Sequence, residues 1–390
     1  MPFNSEGVQP GIGLALSGGG FRATLFHLGS LWRLNELGYL PKLDRISSVS
    51  GGSITAGRLA VRWGQLTWNG PVATNFQAEI VTPLRDFCTQ NIDGPAIGEG
   101  ALLPWKRVSD IVQAAYRDSL LGDSTLQALP DHPQFVINAT NFGTGVDFRF
   151  SKPYAGDYRI GLIPNPTFPL ALAVAASSAF PPFLSPVVID TDPATFQYKD
   201  GADLYDQIAY RTRLTLTDGG VYDNLALETV DKRFRTLLVS DAGAPLAVTP
   251  DPGTSWTGQA LRAMDVTTNQ ARALRKRTLV ADLTAKVHDG AYWGIMTEIA
   301  GYQLPDALPV PPEATHELMT IRTRLNPFSE EEQCRLINGG YALCDAAMRK
   351  YVLPGTPVPV REWPYPAHAL DQPPTAAAAP PIAPDPPSGH

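Results

Sequence analysis

Two rhythms of apolar and polar positions alternate through the first sixty residues. Gly11-Ile12-Gly13-Leu14-Ala15-Leu16-Ser17 is a short, nearly continuous apolar run, as expected of a strand buried on both faces. Gly18-Gly19-Gly20 breaks it. From Phe21 to Leu37 the spacing becomes helical, with Leu28, Leu31 and Trp32 at i, i+3 and i+4, and Gly38 as the stop. Leu43 to Ile46 opens a second buried strand, which runs on to Val49. Ser50-Gly51-Gly52 then turns the chain into a small-residue helix over Ile54 to Val61. This βαβα order predicts a parallel sheet with right-handed crossovers.

Further on the pattern loosens. Glu79 to Cys88 and Arg107 to Leu120 read as helices around an apolar, Gly/Pro-broken loop, Gly94 to Trp105. That loop is a packed connection, with a lid or interface segment as the alternative. Gln134 to Thr140 is a strand, and Val146 to Phe150 its antiparallel partner across Gly143-Thr144-Gly145. Leu170 to Ser178 is a small-residue helix that ends at Phe180-Pro181-Pro182-Phe183. Leu214 to Thr217 is a strand entering Asp218-Gly219-Gly220, and Thr236 to Ser240 is another. Ser255 to Leu279 reads as a helix whose basic run (Arg272, Arg275, Lys276, Arg277) forms a solvated face. Met319 to Arg322 reads as a late strand, and Ser329 to Tyr351 as a closing helix with Ser329 as N-cap. From Leu353 prolines and alanines dominate, and such composition buries too little apolar surface to offset ordering entropy. The expected division is a domain over 1–352 and a Pro/Ala-rich tail over 353–390, disordered from about Leu370.

Composition narrows the function classes. Among 390 residues, 44% are hydrophobic and 18% charged, ordinary values for a soluble globular protein. A formal net charge of −7 leaves no basic footprint for nucleic acid. It also disfavours electrostatic adhesion to anionic membranes, while hydrophobic contact with a membrane interface stays open. Cys88, Cys334 and Cys344 form no CxxC pair, so neither a disulfide framework nor a zinc site is expected, and no cofactor is implied. Met1 to Gln9 has no apolar signal core, and no run of about 18 apolar residues appears. A cytoplasmic location is the expectation; the oligomeric state is left open.

The chemistry gathers around Ser50. A serine between strand and helix, followed by two glycines, has the form of a nucleophile elbow. Acyl transfer to serine further needs a base and donors for the oxyanion. Gly18-Gly19-Gly20 follows a strand and opens a helix, so its N–H groups can converge on one point near a positive helix end. Arg22 either adds charge at the site or orders the loop through a salt bridge. Asp218 follows a strand in a glycine turn and is the candidate general base; the competing reading is a turn cap. His27, His132, His288 and His316 fall in no spacing that singles one out, so structural or exposed roles are expected of them.

Together these residues resemble the patatin-like phospholipase family. The resemblance rests on Gly18-Gly19-Gly20-Phe21-Arg22, the Ser50 elbow and Asp218-Gly219-Gly220. It is supported by Ala175 to Pro182, by Gln270 to Arg275 and by Gly340-Tyr341, and it spans roughly residues 10 to 350. It implies a three-layer α/β/α fold with a mainly parallel sheet and hydrolysis of lipid acyl esters by a Ser–Asp dyad without histidine. Ser50 would be the nucleophile, Asp218 the base and Gly18 to Gly20 the oxyanion hole. Two positions depart from the family pattern: Ser48 replaces the first elbow glycine, and Ala23 replaces the glycine after Arg22. Neither removes a catalytic atom.

Two other readings compete. One is a non-catalytic lipid-binding or interaction module of the same fold. The other is a dinucleotide site, since Gly18 to Ala23 matches G-x-G-x-x-A after a strand. That fingerprint wants an acidic residue at the end of the second strand. Asp44 has the spacing but precedes the strand, which would put it at the opposite edge of the sheet.

Overall fold

The computed structural model describes residues 8–94 and 108–374. The strands are β1 (Gln9–Leu16), β2 (Arg45–Val49), the isolated pair β3 (Trp68–Asn69) and β4 (Val72–Ala73), β5 (Gln134–Asn141), β6 (Val146–Ser151), β7 (Tyr154–Asp157), β8 (Gly161–Pro164), β9 (Val187–Asp190), β10 (Arg213–Asp218), β11 (Phe234–Asp241) and β12 (Asp289–Gly294). The longer helices are α1 (Gly20–Glu36), α2 (Gly51–Arg62), α3 (Thr82–Phe87), α4 (Val108–Tyr116), α5 (Leu170–Ser177), α6 (Trp256–Thr284), α7 (Pro312–Thr320) and α8 (Glu330–Ala347).

Apart from β3 and β4, the described strands form one ten-stranded sheet, with the path β12-β11-β1-β2-β5-β6-β7-β8. From β12 to β5 every neighbour is parallel, as the βαβα pattern predicts. Beyond β5 the sheet turns antiparallel through short hairpins. Strands β7, β8 and β9 are four residues each, too short to show a period in the sequence.

The central strands feed two cores by simple alternation. Leu14 and Leu16 of β1 enter the larger core, while Ala15 faces the other side. On β11, Leu238 joins the larger core and Leu237 and Val239 the smaller. Helices α1, α2 and α8 cover the first face; Leu279 of α6 and Val230 help to cover the second. The result is a three-layer α/β/α arrangement with a parallel centre. Among the described residues no helix is long and apolar enough to cross a membrane.

Three expectations need correction. Met319 to Arg322 is not a strand: α7 runs from Pro312 to Thr320, and the chain then turns. Its buried Ala314, Thr315 and Leu318 repeat at helical spacing, and prolines at its start preset the first turn. The basic run of α6 is not a solvated face throughout. Arg272 is buried, with Nη2 donating to Asp241 Oδ2 at 2.9 Å, and Arg275 meets Asp223 and Glu228. The third concerns the proline-rich stretch, which continues the packed body past Val352. Leu370 is buried, Asn338 Nδ2 donates to the carbonyls of Tyr365 and His368 at 2.9 Å each, and Arg33 Nη2 donates to Pro359 O. Backbone carbonyls that find buried donors do not need a large apolar surface to be ordered. The loop from Pro95 to Trp105 and the tail beyond Pro374 lie outside the described residues.

The closing helix has the expected start. Ser329 Oγ accepts from Glu332 N at 3.2 Å, and the Glu332 carboxylate accepts from Ser329 N at 2.8 Å, forming a reciprocal capping box.

Candidate active site

The site sits where β1, β2, β10 and β11 end together. Val49, the last residue of β2, pairs with Asn138 of β5; Asp218, the last residue of β10, pairs with Ala139. Strand β2 runs parallel to β5 and β10 antiparallel to it, so the two approach head-on along its one edge. Ser50 and Asp218 meet at that junction.

Ser50 has φ 52° and ψ −123°, left-handed for a residue with a side chain. Such a conformation costs on the order of 1–3 kcal/mol and persists only when its surroundings hold it. Here the hold is a hydrogen-bond relay. Ser50 N donates to Ser177 Oγ at 2.9 Å, and Ser177 Oγ donates to Asn138 O at 2.6 Å. Ser53 Oγ lies 2.9 Å from Ser177 Oγ and 2.9 Å from Ser48 Oγ. Ser48, where a glycine is usual, is thus absorbed as a hydrogen-bonding partner. Glycine is compulsory at the very next position: a Cβ on Gly51 would lie 2.1 Å from Gly20 O, so the elbow and the glycine loop touch backbone to backbone.

Asp218 is 3% exposed. Burial pushes its carboxyl from an ordinary 3.8 to about 6, against the pull of the Gly220 N–H and the nearby Ser50 hydroxyl, which favour the carboxylate. The Gly220 N to Asp218 Oδ1 distance is 2.7 Å. Its main chain is pinned as well: N donates to Ala179 O, and O accepts from Thr140 Oγ1.

In the glycine loop the donors are not equivalent. Gly18 N donates to Asn224 O at 3.0 Å and is therefore spent. Among the described residues, the N–H groups of Gly19, Gly20 and Gly51 have no acceptor, and Gly19 and Gly20 line the cavity beside Ser50. Gly18 instead permits close approach: a Cβ there would lie 3.1 Å from Ser50 Cβ.

Arg22 resolves toward its ordering role. Its guanidinium is 2% exposed and donates to Ala242 O at 2.9 Å and to Ile321 O at 2.7 Å. It ties the start of α1 to the exit of β11 and to the turn after α7. Burial, and next the like charge of Arg272, lower its pKa to about 10, which still leaves it charged at neutral pH.

Among the described residues no histidine lines the cavity beside Ser50. His27 is fully buried, its Nδ1 2.8 Å from Ser240 Oγ and its Nε2 2.9 Å from Ser17 O. Burial drives its pKa down to about 4, so the ring is neutral and both nitrogens are engaged. Asp44 accepts from Ile12 N at 2.7 Å, at the start of β1. It lies at the opposite edge from the glycine loop, where a ribose-binding acid would not serve.

Ser50, Asp218 and the glycine loop open into a cavity of about 600 Å³. Its lining is largely apolar, with Leu184, Val221, Leu246, Met264 and Leu325 among the contributors. Phe180 and Phe183 stand at its rim, 47% and 52% exposed. Ser177 and Asn224, which hold the elbow and the glycine loop, carry no role in the sequence reading. Ser177 lay within a recognised block, but its contacts join elements distant in the chain.

A family model described as patatin-like phospholipase matches residues 14–231, more than half of the chain. The chain belongs to that family. Among solved structures it is similar to human GIVD cytosolic phospholipase A2, with 14% identity and a TM-score of 0.48 over 88% of this chain and 62% of that one. The same human protein in complex with methyl gamma-linolenyl fluorophosphonate and terbium chloride gives 15% identity and a TM-score of 0.46, over 86% and 57%. VipD from Legionella pneumophila gives 15% and 0.34, over 86% and 66%. The chain therefore spans about three fifths of the length of the human chains. No curated protein matches it.

Proposed function

We propose that this protein is a serine acyl hydrolase that cleaves lipid acyl esters with a Ser50–Asp218 dyad. The observation that carries the proposal is the placement of Ser50 and the buried Asp218 carboxylate together at the ends of β2 and β10, both lining one apolar cavity. Asp218 accepts the hydroxyl proton as Ser50 Oγ attacks the ester carbonyl. The carbonyl oxygen becomes an oxyanion, and the N–H groups of Gly19 and Gly20, with Gly51, are the donors free to bind it. Asp218 then returns the proton to the departing alcohol. In the second half-reaction it deprotonates a water, which releases the acyl group as a carboxylic acid and restores Ser50.

The cavity suits an acyl chain, because apolar surface removed from water contributes roughly 25 cal/mol per Å². On the segments that wall the cavity, exposed apolar side chains favour transient contact with a lipid interface. Trp256 is 84% exposed at the start of α6, and Val248 is 93% exposed beside the Leu246–Ala247 wall. The acidic net charge makes that contact hydrophobic rather than electrostatic. A hydrolytic step that needs no bound metal or cofactor, and a cytoplasmic location, are part of this reading. Labelling with an alkyl fluorophosphonate tests the core of it: one adduct per chain on Ser50 is expected, and no adduct on Ser50 would sink the enzyme assignment.

A further inference from the structure

At the start of α8 the fold assembles a ligand set that the sequence does not reveal. Glu330 and Cys334 are one turn apart on α8, and His368 arrives from the proline-rich segment that crosses it. One ligand atom from each lies within 4.8 Å of the others. A tetrahedral zinc ion with ordinary Zn–S, Zn–N and Zn–O bonds sets its ligand atoms about 3.5 Å apart, so modest side-chain rotation closes the set.

A second observation concerns the same imidazole. His368 Nδ1 is buried and has no hydrogen-bond partner among the described residues. Unpaired buried polar atoms are uncommon, because each forfeits its hydration without return. Meanwhile the backbone that presents this ring is fixed. Asn338 Nδ2 holds His368 O at 2.9 Å, and Arg335 Nη1 holds Ala369 O at 3.3 Å.

The present counter-charge is Arg85. Its Nη2 lies 3.5 Å from Cys334 Sγ and 3.8 Å from Glu330 Oε1, and the guanidinium stacks over Tyr365 at 4.6 Å. A cation that already faces both the thiol and the carboxylate marks the spot as one that favours positive charge.

We propose that Glu330, Cys334 and His368 bind a divalent transition-metal ion of the zinc type, with water in the fourth position, and that the metal fastens the C-terminal segment to α8. Thiolate, imidazole and carboxylate together select zinc over calcium or magnesium. Binding displaces the Cys334 proton and pushes Arg85 aside. None of the three ligands lines the Ser50 cavity, so the site is separate from the hydrolytic one.

Cobalt(II) titrated into the full-length protein, first stripped with a chelator, tests this. One equivalent should produce the thiolate-to-cobalt charge-transfer band and tetrahedral d–d absorption, and zinc should displace it. Removing a ligand should weaken zinc binding roughly 100-fold or more in a competition assay, at least as much as loss of an outer-shell partner does. Cys334→Ser should abolish the band and His368→Ala should weaken binding, whereas Arg85→Met should tighten it. Zinc should raise the melting temperature of the wild type and leave that of Cys334→Ser unmoved. Absence of a one-equivalent thiolate band in the wild type overturns the site whatever the variants do. So does an unchanged metal affinity in His368→Ala, whose half-buried position makes misfolding a poor explanation.

Discussion

Val49 and Asp218 are paired with consecutive residues of one strand, Asn138 and Ala139, from opposite directions. Two strands that converge on one edge leave their following turns face to face. That single relationship brings a serine and a carboxylate together without any third residue between them.

Removal of the nucleophile should therefore be decisive. Ser50→Ala keeps a Cβ at the same strained φ and loses only the hydroxyl, so the fold should survive. Turnover of a lipid ester should fall by about 10³-fold or more. A stopped assay on a lipid panel, with circular dichroism as the fold control, checks both halves. Residual activity within tenfold of wild type would redirect attention to another hydroxyl.

The buried carboxylate sets a pH signature. With a pKa of about 6, Asp218 is a competent base only when ionised, so kcat/KM should rise as pH passes through about 6 and level off above it. A profile flat between pH 5 and 8 would exclude Asp218 as the base.

Stability should run the other way. A carboxyl raised from 3.8 to about 6 contributes stability that is fully present below 3.8 and lost as pH rises through 6. Asp218→Asn removes that titration. It should stabilise the protein above pH 6, by on the order of 2–3 kcal/mol, and the gain should fade toward pH 4. Activity should collapse in the same variant. Melting curves at pH 8 and pH 4 supply the test: a loss of stability at pH 8 contradicts the account.

Ser177→Ala should act through Ser50. It leaves Ser50 N and Asn138 O without their buried partner, each at about 1–3 kcal/mol. The melting temperature should drop, and kcat should fall further than KM rises, since the elbow loses its hold rather than the cavity its shape. An unchanged kcat in a folded variant would remove Ser177 as a positioning residue.

At the interface, Trp256→Asp places a charge on an exposed side chain outside the cavity. Burying an aromatic in a bilayer surface is worth about 1.5–3 kcal/mol, so hydrolysis of vesicle lipid should fall roughly tenfold or more. A soluble short-chain ester should be cleaved as before. Equal effects on the two substrates would argue against membrane contact by this edge.

Much of this protein is legible along the chain. The βαβα start, the glycine loop, the elbow at Ser50 and the aspartate turn at Asp218 all depend on period, backbone freedom and turn chemistry, which are local properties. The capping of α8 by Ser329 is local too. Tertiary structure decided what those pieces touch. It showed that Gly18 N is spent on Asn224, that Arg22 is a tie between loops and that Arg272 is buried against Asp241 rather than solvated. It turned Met319 to Thr320 into the end of a helix, and it carried the packed body beyond Val352 through donors on α8 and α1. It also brought His368 beside Cys334. The physical reason is the same in each case. A periodic pattern states which face of an element is buried, whereas the identity of the group buried against it depends on strand pairing and helix packing between segments far apart in the chain.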